Sequence, residues 1–313
     1  MRISSELRDL VAASALSALL FTTGVLVPLV GPPAGFVATA PLIWLAARHG
    51  RLAGALGGLV ATAALLSGLP PPVALIFAIE HALPAWYLGW IVRRDGGVAA
   101  ASARAAVVVT TLVIGAALLL ATGGQDPVQV LEQQLREGLA ELGGGSPAGP
   151  SGTGAPAPLG AGLEEVVAFM RRVLPAVTLI GIFLECSLNT LLAARLLARV
   201  EGAARPRDMT AFSLPDWVVW VLIPVLALCW APVPDVATVA LNLALPLLFA
   251  YLLVGLSISL HLAVRARFSR FGRTLLVSAF VFFPWLLAGP LLLGMLDFRF
   301  SFRNRWPIEP PAA

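Results

Sequence analysis

Runs of apolar residues, most of them near the roughly 20 needed to cross the hydrocarbon of a bilayer, alternate with short polar gaps along almost the whole chain. They occupy residues 10–30, 36–47, 52–69, 72–92, 99–121, 174–197, 217–231, 236–264 and 274–296. Each reads as a membrane-spanning helix. The second run is short, either a steep crossing or a half-span, so the pattern predicts an all-α polytopic transmembrane bundle of eight or nine spans. The first run follows Arg2 and Arg8 and is longer than a signal-peptide core, so it reads as a retained span.

One gap has a pattern of its own. In the loop over 122–173, Val128, Leu131, Leu135, Leu139 and Leu142 recur at three- and four-residue spacing opposite Glu132, Gln133, Arg136 and Glu137. That spacing predicts an amphipathic helix over 127–142, lying on the membrane surface or acting as a lid or docking element. Residues 143–162 are a Gly/Pro/Ala/Ser tract that cannot bury a core and reads as a flexible linker. Glu164 and Glu165 then begin a helix that becomes the sixth span after Pro175. The organisation is therefore five spans over 1–121, an extracytoplasmic loop over 122–173, further spans over 174–296 and a polar tail over 297–313.

Composition strengthens this picture. The 313 residues are 58% hydrophobic and only 12% charged, against roughly 25% charged in soluble domains. The formal charge of +4 does not indicate nucleic acid, because all 21 basic residues are Arg and most lie in gaps between apolar runs. Those gaps hold Arg48, His49 and Arg51; Arg93 and Arg94; Arg195, Arg199, Arg205 and Arg207; and Arg265, Arg267, Arg270 and Arg273. With nine crossings they share one face with the N-terminus, which the positive-inside rule makes the cytoplasmic one. Arg299, Arg303 and Arg305 then fall outside, unless the breaks at Pro284, Gly289 and Pro290 make the last segment re-entrant.

Ionisable and amide side chains inside the spans are the candidate chemistry, because at bilayer depth they require a partner or a wet cavity. Glu80 and His81 lie near the middle of the fourth run, and Pro84, which cannot donate to the Glu80 carbonyl, predicts a bend there with one carbonyl left free. Glu185 and Asn189 share a face of the sixth span, and Asn242 precedes Pro246 by four residues in the eighth. These five are candidate substrate-binding residues, with a structural role as the alternative for Glu80 and interhelical hydrogen bonding as the alternative for the other four. Gly50, Gly54 and Gly58 recur every four residues, a small-residue stripe suited to close helix packing, and Ala13/Ser17 and Ser14/Ala18 form a weaker one. Cys186 and Cys229 lie within apolar segments and read as small hydrophobes. Phosphate-loop, HExxH and GxSxG signatures are missing, so the reading involves no enzyme, metal or cofactor.

The Arg48, His49, Gly50 turn with Gly54, the Leu174 and Pro175 pair, the basic gap from Arg265 to Arg273, and the ending Phe283, Pro284 and Gly294 to Phe300 (GMLDFRF) together resemble the YybS-like integral membrane proteins, domain of unknown function 2232. The first six spans of such proteins are similar to the S components of energy-coupling-factor transporters. That resemblance implies a substrate cavity towards the outer face, roofed by the chain around residues 30–36 and lined by the fourth to sixth spans. It also implies docking on a membrane-protein partner through small residues of the first helix. The expected function is binding or movement of a small molecule through an intramembrane polar pocket. The rivals are a scaffold acting through protein partners and, behind it, an intramembrane enzyme.

Overall fold

The computed structural model describes residues 2–27, 31–94, 97–122, 133, 159–201 and 212–306, and no strand occurs among them. The amphipathic helix expected at 127–142 lies outside the described residues except for Gln133. The helices are α1 (Arg2–Leu26), α2 (Gly31–Phe36), α3 (Ala40–His49), α4 (Arg51–Leu66), α5 (Pro71–Phe77), a π turn (Ala78–Ala82), α6 (Leu83–Arg93) and α7 (Val98–Thr122), followed by α8 (Leu159–Glu201). The C-terminal half holds α9 (Val218–Leu228), α10 (Pro234–Arg265), α11 (Arg270–Phe282), a 3-10 turn (Pro284–Leu287), α12 (Ala288–Phe300) and α13 (Phe302–Arg305).

Among the described residues, five stretches are long and apolar enough to cross a membrane: Ser5–Leu26, Pro71–Arg93, Val98–Ala117, Glu165–Val200 and Pro234–Arg265. A sixth candidate is the pair Arg270–Phe280 and Pro284–Phe300, which is bent by 104° at its break. The count of eight or nine spans is reduced because three expected segments fold as shorter helices. The run at 36–47 yields α3 with 10 residues, that at 52–69 yields α4 with 16, and that at 217–231 yields α9 with 11. Punctuation cuts them: Gly50, at φ 100, takes a conformation open to glycine and ends α3, while Pro70 and Pro71 separate α4 from α5. The last run, expected as one span with a re-entrant hairpin as its alternative, is broken at Phe283 and Pro284.

The bundle is built around its shortest members. In α3, Ala40, Leu42, Ile43, Leu45, Ala46 and Ala47 are all buried, and α3 packs against α1, α4, α6 and α8. A 10-residue helix is about 15 Å long, half the hydrocarbon thickness, so α3 is a core element sheathed by longer helices. Outside, the surface is apolar: Trp230 is 90% exposed, Phe271 79% and Trp220 71%. Exposed apolar area on this scale is stable in lipid and not in water.

Two further corrections concern boundaries. The sixth span is part of an unbroken 43-residue helix that starts at Leu159, inside the expected linker, and passes through Pro175. At about 65 Å it exceeds a bilayer's hydrocarbon core twofold, so the limit drawn between loop and span at residue 173 is not a structural break. The polar tail from residue 297 begins inside α12 and continues into α13.

In the C-terminal half, α9 and α10 pack together with Val218, Val219, Leu222 and Tyr251 as their core. α10 and α12 meet backbone to backbone at two glycines: a methyl on Gly255 would collide with the Pro290 carbonyl, and one on Gly294 with the Tyr251 carbonyl. Small residues allow such approach where helices associate without a hydrophobic drive between them.

Candidate functional site

The centre of the N-terminal bundle is a break in helical backbone. Between α2 and α3 the chain turns through Val37, Ala38 and Thr39, so carbonyls that a continuous helix would satisfy are released at membrane depth. Side chains from two other helices take them up. Ser17 Oγ in α1 donates to the Ala38 carbonyl at 2.6 Å, and Asn189 Nδ2 in α8 donates to the Phe36 carbonyl at 2.8 Å. The same amide nitrogen also donates to the Glu185 carbonyl at 2.8 Å.

This anchoring places Thr39, the residue preceding α3, between His81 and Glu185. Its Oγ1 lies 2.8 Å from His81 Nδ1 and donates to Glu185 Oε1 at 2.7 Å, while Nδ1 and Oε1 are 3.0 Å apart. Thr39 has one hydrogen to give, and with it directed to Glu185 the short contact with Nδ1 puts a proton on that nitrogen. The edges of the Phe21 and Phe77 rings close over the imidazole, their centroids 5.2 and 5.3 Å from it. Thr39, His81, Glu185 and Asn189 are all buried, and in so dry a setting each hydrogen bond is stronger than it would be in water.

Sequence spacing brings His81 here by an unexpected route. Instead of a simple proline bend, the chain widens into a π turn over Ala78–Ala82, closed by Leu83 N–H donating to the Ala78 carbonyl. Pro84 then sits in the first turn of α6, where a missing N–H leaves no gap in the ladder. π turns inside membrane helices re-aim side chains and recur at functional sites.

Glu80 and His81 diverge as adjacent helical residues must. His81 points into the cluster, while Glu80 is half-buried and makes no hydrogen bond or ion pair among the described residues. Two more acceptors are unmatched there: Asn189 Oδ1 is buried with no partner, and His81 Nε2 has none among the described residues. Among these residues no group of three or more His, Cys, Asp and Glu is placed to hold a metal ion.

Asn242 does not join this cluster. Its Oδ1 accepts from the Ala176 N–H at 3.0 Å and its Nδ2 donates to the Arg172 carbonyl at 2.8 Å. That N–H and carbonyl are an i, i−4 pair in the turn of α8 that holds Pro175, so the amide of Asn242 braces the helix where the proline perturbs it. The proline that matters to Asn242 is thus Pro175 in another helix, not Pro246 in its own.

The small-residue stripes also sort themselves. Gly54 packs against Ala46, where a methyl would collide, and a Cβ on Gly58 would lie 2.8 Å from that of Ala82. Gly50 takes no part in this stripe; it is the turn between α3 and α4. Ser14 and Ser17 are buried and donate inward, to the carbonyls of Gly57 and Ala38. All these contacts lie within the bundle.

Two functional positions were missed by sequence reasoning. Thr39 was legible as a helix-entry signal, a Thr two residues before Pro41 and opening an apolar run. Asp9, buried at the start of the first span, takes Arg48 Nη1 at 2.8 Å and His49 Nε2 at 3.0 Å. Arg93 reaches the Arg48 carbonyl at 3.4 Å, so the N-terminus and two basic gaps meet at one end of the bundle. Trp90 is held there between the Arg51 and Arg94 guanidinium groups, 3.8 and 4.4 Å from its ring centre.

No curated protein and no solved structure matches the chain. The family described as "Predicted membrane protein (DUF2232)" matches residues 15–298, from the middle of the first helix through the Thr39 turn, the π turn and α8 to near the end of α12. This multi-pass helical protein, with its broken helices and buried polar centre, belongs to that family of predicted membrane proteins.

Proposed function

We propose that the protein binds, and helps move across the membrane, a small polar molecule rich in hydrogen-bond donors, at the centre formed by Glu80, His81, Glu185 and Asn189. The observation that carries this reading is Glu80: a half-buried carboxyl in a membrane-spanning segment with no hydrogen bond or ion pair among the described residues, where such a group normally has a partner. His81 Nε2 and Asn189 Oδ1 are further acceptors left over once Thr39, His81 and Glu185 have paired. Each of the three is an acceptor that a ligand's donor would satisfy, Glu80 on a different side of its helix from His81. In this reading the chain is not an enzyme, the N-terminal bundle works as a transporter S component does, and the protein sits in a bacterial inner membrane with Asp9, Arg48 and Arg93 at the cytoplasmic end.

The experiment is thermal unfolding of purified protein, Glu80→Gln and Glu80→Ala against a panel of small polar metabolites. A true ligand stabilises the native protein, less so Glu80→Gln, and not Glu80→Ala. Equal stabilisation of all three removes Glu80 from the site.

A further inference from the structure

A second polar hollow lies in the C-terminal half. It has a volume of about 450 Å³ and is lined by Asp216, Tyr251, Asp297, Ser301, Arg303 and Asn304 among others, within the range typical of small-molecule sites. Its floor follows from the glycine crossing: because Gly294 lets α12 lie directly on the Tyr251 backbone, the chain beyond α12 has to turn away at once. It does so through Ser301, left-handed at φ 45, and Asp297 secures the turn by accepting from the Phe302 N–H at 2.9 Å through Oδ1 and from Arg303 at 3.4 Å through Oδ2.

Those bonds occupy both oxygens of Asp297, so its charge is matched by Arg303. Asp216 is different: it is exposed at the rim and has no hydrogen bond or ion pair among the described residues. Tyr251 is different too. It is only 3% exposed, lines the hollow, and its hydroxyl has no hydrogen-bond partner among the described residues, although a buried tyrosine usually finds one. Tyr251 and Asp216 line the same hollow.

We infer that this hollow is a binding site for a small primary ammonium carrying a neighbouring oxygen, the ammonium on Asp216 and the oxygen on the Tyr251 hydroxyl. An uncommitted carboxylate at the rim favours a cation, and a hydroxyl in the same hollow that can donate favours an acceptor within a few bonds of the charge. Ethanolamine has this chemistry, free or as a phospholipid headgroup.

The test uses full-length protein in maltoside detergent, titrated with ethanolamine and with uncharged ethylene glycol, followed by thermal shift. Ethanolamine is expected to stabilise saturably and ethylene glycol not at all. Asp216→Asn is expected to weaken the response about tenfold, the effect of losing one charge-assisted hydrogen bond. Tyr251→Phe is expected to weaken it while leaving the unliganded melting temperature unchanged, since its hydroxyl has no hydrogen-bond partner among the described residues. Native mass spectrometry from bilayers with and without phosphatidylethanolamine separates the two sources. Lipid retained by native protein but lost from Asp216→Asn identifies the headgroup, and saturation by free ethanolamine identifies the soluble amine. The inference is overturned if neither probe distinguishes native protein from Asp216→Asn, or if ethylene glycol acts as ethanolamine does.

Discussion

Around Thr39 the polar groups are spent on one another, whereas around Tyr251 they are left open. In the first region a hydroxyl, an imidazole and a carboxylate meet within 3.0 Å, and serine and asparagine side chains close the carbonyls of a broken helix. In the second, backbones touch through Gly255 and Gly294, and the polar groups beside them line a hollow. The lesson is that the same problem, a helix interrupted inside an apolar protein, has two solutions. Donors can be supplied from neighbouring helices, which rigidifies the break, or the backbones can be packed so closely that the polar groups are displaced to the rim. The first solution makes most polar atoms structural and leaves Glu80, His81 Nε2 and Asn189 Oδ1 over. The second leaves them available.

Three experiments sharpen the contrast. The largest effect is expected for Glu185→Ala, which leaves the Thr39 hydroxyl and the His81 Nδ1–H without their carboxylate acceptor in a buried setting and should cost about 3–4 kcal/mol, the penalty of buried donors losing a charged acceptor. Glu185→Gln, still able to accept from Thr39, should lose clearly less. Unfolding by denaturing detergent measures both, and equal losses would mean that the charge of Glu185 contributes nothing to the cluster.

Next is Gly255→Leu, which drives a side chain into the Pro290 carbonyl and should cost about 3 kcal/mol through overpacking. Its effect should be confined to the C-terminal half, with ligand-dependent stabilisation through Glu80 intact. Loss of that stabilisation would show that the two regions are energetically one.

The smallest is a double-mutant cycle at the α8 break. Asn242→Ala alone should cost about 2 kcal/mol by leaving the Ala176 N–H and Arg172 carbonyl unpaired. In a Pro175→Ala background the helix can close that pair itself, so the same change should cost about 1 kcal/mol less. Additive costs would place Asn242's contribution elsewhere.

Asn189 and Asn242 show how far the sequence could be read. Both were recognisable as amides inside apolar helices, and both as groups needing a partner. That the partners are released backbone groups of other helices, the Phe36 carbonyl and the Arg172–Ala176 pair, depends on which helices lie side by side, and spacing along one chain carries no such information. The proline rule worked locally and misled globally: Pro84 marked a perturbed helix, but a π turn absorbed it, and the free groups near Asn242 came from Pro175 rather than Pro246.

The composition and the apolar runs were enough to determine an all-helical membrane protein with ionisable groups turned inward, because the cost of exposing backbone and charge to lipid admits few other outcomes. Helix length, by contrast, was set by glycine and proline breaks acting together with packing, which is why α3 is a sheathed 10-residue core element and not a span. The joining of Thr39, His81 and Glu185, residues 42 and 146 positions apart from Thr39 along the chain, was decided only by tertiary structure. Hydrogen bonds of under 3 Å demand a specific arrangement of three helices, and hydropathy reports each helix alone.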